Sequence, residues 1–333
     1  MALLWGFKLE FKQSLRSKKF IATIVIMMLL YVPFFYIIRQ DSDIGTMTTG
    51  EFITGIIQFL GGMATFFIAI LALLMGATAI NSEIEKGTLR VAMSKPVSRL
   101  GYITGKMLAQ ITTLLIALLI SALVGIVGFM AIGAPVNGTV VREVILLNLL
   151  LLVGLSQLLL LGYLISTVVK SSTSALGLAL VLFFVISLIM PSVVGYMAMT
   201  SADHQNKGFE EVYKDYATKY LFFEPTTQLK IIMNEVEDHE HQECYKIVRR
   251  VDLTTYKDET INKTKVEKCE YSSYEESHIE GNYRYYTTCT CEPRYGGLIY
   301  AINKSMTNFL IVVGMAVLYT GLALIRFLRM DLR

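Results

Sequence analysis

Long apolar segments alternate with short polar ones along most of this chain. Six of these segments are long enough to form transmembrane helices, since about 20 residues cross the hydrocarbon of a bilayer. They cover residues 20–38, 52–80, 107–132, 144–169, 175–199 and 309–325. The pattern predicts an all-α polytopic membrane protein with six transmembrane helices.

Two positions predict departures from straight helices. The second segment is overlong and contains Gly61 and Gly62, which favours a tilt or a kink. Pro191 lies near the end of the fifth segment and cannot donate a backbone hydrogen bond, so a bend is expected there.

The first residues of the chain, 1–19, have a different pattern. An apolar residue recurs at every fourth position, and basic residues occupy the neighbouring face. The apolar residues are Leu3, Phe7, Phe11 and Leu15, and the basic ones are Lys8, Lys12, Arg16 and Lys19. This pattern predicts a helix lying on an anionic membrane surface, with a floppy basic tail as the alternative. The many charges there also argue against a cleavable signal peptide.

Composition and charge fix the class and the orientation. Hydrophobic residues make up 54% of the chain and charged residues only 17%, against about 25% charged in soluble domains. Basic residues gather at both ends and in residues 81–106, whereas the alternate short loops hold only Arg39 and Arg142. By the positive-inside rule, both termini and residues 81–106 are cytoplasmic, in a multi-pass protein of a plasma membrane.

Sequons and cysteines support this orientation. The three Asn-x-Ser/Thr sequons, at Asn137, Asn262 and Asn303, all fall on the predicted outside, although Asn303 lies close to the last span. The four cysteines, Cys244, Cys269, Cys289 and Cys291, fall there as well, where disulfides persist. We expect a prokaryotic protein, and sequons together with outer disulfides are compatible with an archaeal plasma membrane.

Residues 200–307 form the long outer segment. Residues 208–236 contain two amphipathic pieces, expected to dip into the outer interface. Residues 237–297 are rich in Tyr, Thr and Val and predict a small domain of short strands between helices 5 and 6. Residues 308–333 then form the sixth helix and a cytoplasmic tail.

Disulfides are expected to stabilise this small domain, because its core is marginal. Cys289 and Cys291 are too close to pair with each other, so each pairs with either Cys244 or Cys269, and the sequence leaves both pairings open. A zinc site of four thiolates is disfavoured because paired C-x-x-C knuckles are missing.

The apolar segments contain no ionisable residue in their interiors. Their strongest polar groups are Gln58, Gln110, Asn148 and Gln157, and the last two are expected to bond between helices. A transporter driven by protons or ions needs buried ionisable groups, so this class and an intramembrane metalloprotease are disfavoured.

No motif predicts catalysis by the chain itself. The stretch from Gly101 to Met107 is one residue short of a phosphate-binding loop and lacks its hydroxyl residue. The cluster at residues 239–241, His-Glu-His, lies in an acidic run that is more typical of a solvated surface than of a metal site. We therefore expect no enzyme activity, no resident metal or cofactor, and no nucleic-acid partner.

The polar break at residues 81–106 carries the most specific pattern. It resembles the E-x-G-T-L … S-x-P-x-S-R … G-K signature of ABC-2 type permeases, the membrane subunits of ABC transporters, mostly exporters (the type V exporters). The residues that carry this resemblance are Glu83, Glu85, Lys86, Gly87, Thr88, Leu89, Ser94, Pro96, Val97, Ser98, Arg99, Gly105 and Lys106. Independently of the resemblance, Ser98 is expected to cap the helix that runs through Lys106 into the membrane.

The resemblance implies a dimer of permease chains, alike or different, bound to two separate ATPase subunits that hold ATP and Mg²⁺. It implies that the loop contains a coupling helix that docks into an ATPase. The residues that map to this role are Glu83, Glu85, Lys86, Gly87, Thr88, Leu89, Ser94, Pro96 and Arg99. The alternative for the loop is that it is a solvated connection between two spans with no docking role. The alternative for the whole protein is a non-transporting membrane anchor whose outer domain recruits an envelope partner.

Overall fold

The computed structural model describes residues 2–17, 20–26, 28–29, 36, 49–59, 61–62, 65–94, 98–134, 136–205, 208–254, 258–267, 269 and 276–330. Five helical stretches within this part of the chain are long and apolar enough to cross a membrane: Thr65–Glu85, Arg99–Ala131, Gly138–Val168, Ser172–Ala202 and Met306–Leu328. The first predicted span, residues 20–38, lies largely outside the described residues, so the count of six stays a prediction.

The helices are numbered here in chain order, whether or not they span the membrane. Short helices are α1 (Ala2–Leu15), α2 (Thr49–Phe59), α4 (Asn81–Glu85), α5 (Thr88–Met93), α10 (Phe209–Tyr220), α11 (Pro225–Asn234) and α12 (Leu298–Lys304). Long or spanning helices are α3 (Thr65–Ala77), α6 (Arg99–Ala131), α7 (Gly138–Val168), α8 (Ser172–Phe184), α9 (Met190–Gln205) and α13 (Met306–Leu328).

Within the second predicted segment the structure describes α2 and α3, and Gly61 and Gly62 between them have π-helical geometry. This irregularity lies where the glycines predict a tilt or a kink. A Cβ at Gly61 would lie 2.6 Å from the Met233 methyl group of α11, so glycine at this position admits a side chain from α11. Among the described residues, the stretch that is long and apolar enough to cross a membrane is Thr65–Glu85.

The helix is irregular near Pro191, where a bend is expected. A π-helical turn, Val185–Ile189, lies between α8 and α9 and ends two residues before the proline. Pro191 has no N–H for the carbonyl four residues earlier, at Ser187. The π-turn shifts the local backbone hydrogen-bond pattern by one residue, directly beside the position where the proline cannot donate. The Ser187 hydroxyl meanwhile donates to the Glu224 carboxylate at 3.3 Å, which ties the turn to the start of α11.

Helix α1 packs against α6 through a small and polar face. Gly6, Glu10 and Ser14, spaced four residues apart, are buried, whereas Phe7 and Phe11 are only partly buried. A Cβ at Gly6 would lie 3.0 Å from the Tyr102 carbonyl oxygen. The apolar stripe with Phe7 and Phe11, which predicts membrane contact, therefore lies beside the buried face that packs against α6.

Helices α3 and α7 cross at the closest backbone contact in the bundle. A Cβ on Gly76 would lie 2.0 Å from the Leu159 carbonyl oxygen, and one on Gly162 would lie 2.4 Å from the Leu73 carbonyl oxygen. Small residues that let two membrane helices approach in this way increase van der Waals contact where water supplies no driving force. The fully buried side chains around this crossing include Leu73, Leu158 and Tyr163.

An antiparallel sheet lies between α11 and α12. Its strands are β1 (Glu237–Asp252), β2 (Asp258–Val266), β3 (Glu276–Glu280) and β4 (Tyr283–Tyr295), in the order β2-β1-β4-β3. The prediction of short strands was wrong for β1 and β4, which pair from Glu237↔Tyr295 to Asp252↔Tyr283. The Tyr, Thr and Val residues of this region favour β-structure, and the paired strands β1 and β4 are longer than the sequence pattern predicts.

Two disulfides cross-link the sheet region. Cys244 pairs with Cys291, its direct neighbour across β1 and β4, and Cys269 pairs with Cys289. This decides between the two pairings that the sequence left open. The first disulfide links β1 to β4, and the second links β4 to the segment between β2 and β3.

A buried carboxylate joins the sheet to the bundle. Glu143 of α7 is 1% exposed and accepts hydrogen bonds from the Tyr295 hydroxyl at 3.0 Å and the Leu298 amide at 2.9 Å. Burial and the neighbouring Glu143 charge raise the pKa of Tyr295. Gly297, with φ of +90°, turns the chain between these two donors. Helix α7 begins earlier than the predicted span, which is why an acid lies in it.

A second ionic contact fixes α10 and α12. The Glu235 carboxylate pairs with Lys214 and, at 3.0 Å, with Lys304. Burial opposes ionisation of Glu235, but hydrogen bonds from the two lysines outweigh it and lower the pKa of this carboxyl group. The end of α11 is thereby held to both neighbouring helices.

Polar side chains inside the bundle bond mainly to backbone. Gln157 donates to the Phe223 carbonyl at 3.0 Å and so joins α7 to the segment before α11, as expected of an interhelical bond. Asn148 donates to the Val144 carbonyl of its own helix at 2.7 Å, so the expectation of an interhelical bond was wrong for this residue.

Candidate functional site

The polar break at residues 81–106 folds into two short helices and the first turns of a third. Helices α4 and α5 are joined at Gly87, whose φ of +72° is in the left-handed region that favours glycine. The hydroxyl of Ser98 caps α6 by accepting from the Gly101 amide at 3.3 Å, as predicted. Residues 95–97, which include Pro96 and Val97, lie outside the described residues.

The base of this loop is fixed to the bundle. The backbone amides of Ile80 and Asn81 donate to the Ser166 hydroxyl at 3.0 and 3.2 Å, which ties α4 to the end of α7. The Glu85 carboxylate accepts from the Ser172 amide at 2.7 Å, at the start of α8. The Arg99 guanidinium donates to the Met330 carbonyl at 3.3 Å, beyond the end of α13. Three spans therefore meet the loop directly.

The predicted coupling residues divide into two groups. Glu85, Lys86, Thr88, Ser94 and Arg99 have exposed side chains, and Gly87 is partly exposed. Glu83 and Leu89 are buried, at 8% and 2% exposure. The buried pair belongs to the packing beneath the loop, and the exposed set forms its outer surface.

The exposed surface includes two apolar residues that the sequence pattern did not single out. Val91 of α5 is 66% exposed and Leu100 is 50% exposed. On α5, Thr88, Val91 and Ser94 follow each other at three-residue spacing and are all exposed, while Leu89 and Ala92 on the opposite side are buried. Helix α5 thus packs against the protein through its buried face and exposes its other face to the surroundings.

A buried ionic cluster lies beneath the loop. The Lys106 ammonium contacts a Glu10 carboxylate oxygen at 2.6 Å and a Glu83 oxygen at 2.8 Å. The Tyr102 hydroxyl donates to the second Glu83 oxygen at 2.9 Å, and the Gln110 amide donates to the second Glu10 oxygen at 2.8 Å. We call these five residues the clasp, since they join α1, α4 and α6.

The clasp is a strong link because all its charges are removed from water. Lys106, Glu10 and Glu83 are 4%, 6% and 8% exposed. Breaking such a pair by removing one partner typically costs about 3–5 kcal/mol, since a buried charge is left without compensation. The clasp thus joins α4 to α6 and to α1 through buried contacts.

The sequence pattern did not reveal the clasp as a unit. Glu10 was not singled out among the basic residues of the first segment, and Lys106 was named only in the family resemblance and as part of the helix that Ser98 caps. A signal was present, because Gly6, Glu10 and Ser14 share one helical face. This face is small and polar, which is unusual for a helix that only lies on lipid.

The other predicted site residues lie at the opposite end of the bundle. Asn137 caps α7, accepting from the Val140 amide at 3.0 Å, and its amide group donates to Thr49 at 3.1 Å. Asn262 on β2 and Asn303 on α12 are exposed. Sulfur atoms of Cys244, Cys269 and Cys291 lie close together, but all three are in disulfides and so are not metal-ligating thiolates.

The architecture defines a class of membrane protein. Apolar helices form the bundle, and a structured polar loop is held at one end of it by buried ion pairs and helix-end contacts. This is a membrane protein with a structured polar loop at one end of its helical bundle.

Comparison with protein families identifies the class. The family model described as "ABC-2 family transporter protein" matches residues 4–332, and the chain belongs to this family. A search of curated proteins finds no match. The family resemblance of the loop is thus confirmed, and membership implies a transmembrane transport component that works with ABC ATPase subunits.

Proposed function

We propose that the chain is the permease subunit of an ATP-driven ABC exporter in a prokaryotic plasma membrane, and that α5 is the helix through which ATPase subunits move it. In this proposal both termini and the loop are cytoplasmic, and the sheet is outside. A second permease chain, identical or not, completes the pathway. Lipid surrounds the spans, and ATP and Mg²⁺ bind on the partner.

The exposed face of α5 carries this proposal. An exposed apolar side chain, Val91, lies on a short helix among charged groups of both signs, Glu85, Lys86 and Arg99. An apolar anchor within a charged rim is the composition of a protein interface. The buried clasp and the contacts to α7, α8 and the end of α13 hold α4 and α6, which flank this helix in the chain. Force applied to α5 would reach the spans through these neighbours.

In this proposal the predicted coupling residues have distinct roles. Glu85, Lys86, Thr88, Ser94 and Arg99 contact the ATPase, and Gly87 permits the sharp turn between α4 and α5. Glu83 and Leu89 support the loop from beneath. ATP-driven motion of the partner then displaces α4 and α5, and Lys106 carries the displacement into α6.

Replacement of Val91 by aspartate tests the docking surface. It places a charge in the apolar centre of the interface, and we expect the amount of ATPase that co-purifies with the permease to fall at least about 10-fold. Ile279→Asp is the matched control, because Ile279 is 58% exposed on the sheet. ATPase recovery that is equal for Val91→Asp and the unmodified chain would refute docking through α5.

A second candidate function is a non-transporting anchor that recruits an envelope partner through the sheet. The observation that favours it is an exposed aromatic surface. His278 stacks on Tyr285 with ring centroids 4.9 Å apart, and the Arg250 guanidinium lies 4.8 Å from the centre of the Tyr283 ring. Rings and cations of this kind are frequent in binding surfaces.

Deletion of residues 237–295 distinguishes the two functions. The ends left by the deletion are adjacent, since the Gly296 amide donates to the Val236 carbonyl at 2.8 Å. A permease keeps ATP-dependent transport of labelled amphiphiles or peptides into inverted vesicles, reduced several-fold at most. An anchor loses its function entirely while the ATPase still binds.

A further inference from the structure

A polar cavity of about 270 Å³ lies beside the clasp. It is bounded by α1, by the end of α3 with α4, and by α6. The side chains that matter for its chemistry are Glu10, Ser14, Thr78, Ser82, Glu83 and Gln110. The cavity has room for several water-sized groups of about 30 Å³ each.

Three hydroxyl donors that line this cavity, those of Ser14, Thr78 and Ser82, are engaged elsewhere. The Thr78 hydroxyl donates to the Leu74 carbonyl at 3.1 Å, and the Ser82 hydroxyl donates to the Thr78 carbonyl at 2.8 Å. The Ser14 hydroxyl donates to Glu10 at 3.5 Å. What these groups offer the cavity is therefore oxygen lone pairs.

Gln110 adds an acceptor without a partner. Its amide nitrogen donates to Glu10 at 2.8 Å, while its Oε1 is buried and has no hydrogen-bond partner within the described part of the chain. The residue is only 6% exposed. A buried amide oxygen without a donor is costly, and it points to a ligand that supplies positive charge.

The charge count favours the same kind of ligand. The clasp contains two carboxylates, Glu10 and Glu83, and one ammonium, Lys106. With both acids ionised its net charge is −1, which is unfavourable in a buried place. One added positive charge makes the clasp neutral, whereas a divalent ion would make it net positive. The exposed Lys86 also lines the cavity and is the rival source of this charge.

We propose that this cavity binds one monovalent cation, held by oxygens of Glu10, Glu83, Gln110 and the nearby hydroxyl groups. Oxygen ligands of this type suit hard cations. The same chemistry accepts Na⁺ or K⁺ from solution and the ammonium group of an ethanolamine lipid from the membrane. The bound charge completes the clasp and keeps α1 attached to α4 and α6. This inference does not depend on ATPase docking or on transport.

The test is the thermal midpoint of the purified full-length permease at constant ionic strength. NaCl and KCl are titrated against N-methylglucamine chloride, whose cation is too bulky for direct coordination. We expect Na⁺ or K⁺ to raise the midpoint by about 3 °C with a saturating dose dependence. In a second arm, nanodiscs of phosphatidylethanolamine are compared with phosphatidylcholine. Stabilisation there without an alkali-ion effect assigns the site to the lipid ammonium.

Two variants locate the effect. Gln110→Met removes the unpartnered oxygen and should abolish the cation-dependent shift. Glu235→Gln alters an acid far from the cavity and should retain it. Lys86 also lines the cavity, so Lys86→Met tests whether its own ammonium is the neutralising charge.

Equal midpoints in all three salts and in both lipids would overturn the proposal, as would a shift that Gln110→Met leaves unchanged. A shift that appears only in Lys86→Met would show that Lys86 occupies the site in the native chain, and this also contradicts binding of an external cation.

Discussion

Gly162→Ala is expected to prevent correct packing of the bundle. A methyl group at this position would lie 2.4 Å from the Leu73 carbonyl oxygen and 2.6 Å from the Ala77 amide nitrogen. Both obstacles are backbone atoms, so α3 and α7 would have to separate along their length. We expect a loss of at least about 3 kcal/mol, which is seen as a fall of roughly 6–12 °C in the thermal midpoint.

Gly76→Ala should have a comparable effect from the opposite helix, because its methyl group would lie 2.0 Å from the Leu159 carbonyl oxygen. Gly177→Ala is the control. It lies in α8, also within a candidate span, and a Cβ there meets nothing within 4 Å. Alanine at this control position should leave the midpoint unchanged or raise it slightly, since glycine weakens helix interiors. If all three variants behave alike, the helix crossing does not determine the packing.

Lys106→Met should destabilise the loop end of the protein by about 3–5 kcal/mol. The substitution leaves Glu10 and Glu83 facing one another in a buried place without their shared ammonium. We expect α1 to detach from α6, and proteolysis near the start of the chain to accelerate at least tenfold. Limited proteolysis and thermal denaturation of the purified protein measure both consequences.

The triple variant Glu10→Gln, Lys106→Met, Glu83→Gln should recover most of this loss, because it removes the isolated charges as well as the pair. Lys214→Met is the matched control. Lys214 is more exposed than Lys106, and Glu235 keeps its contact with Lys304 at 3.0 Å, so we expect a cost below about 1 kcal/mol. A triple variant as unstable as Lys106→Met alone would show that buried charge is not the cause.

The local patterns predicted much of the fold. Hydrophobic length located five spans that the structure describes, Pro191 located the π-turn, and Ser98 located the start of α6. These succeed because each depends on a few neighbouring residues: a run of apolar side chains, a missing N–H, or a hydroxyl beside free amides.

Contacts between distant segments could not be read in the same way. The close approach of Met233 to Gly61 joins residues far apart in the chain, and the burial of Lys106 depends on Glu10, which is also distant in sequence. An isolated lysine at the edge of an apolar run predicts a surface position by default. Only a partner of opposite charge at bonding distance makes its burial favourable, and sequence spacing does not supply that partner.

The sequence by itself determined the class of protein, the approximate spans, the family of its polar loop and the limits on cysteine pairing. Tertiary structure alone decided which loop residues face outward, which acid meets Lys106, and which cysteine meets Cys289. The physical reason is range: hydrophobic transfer and backbone hydrogen bonding act along a few residues, whereas ion pairs and close helix crossings join residues that only the completed fold brings together.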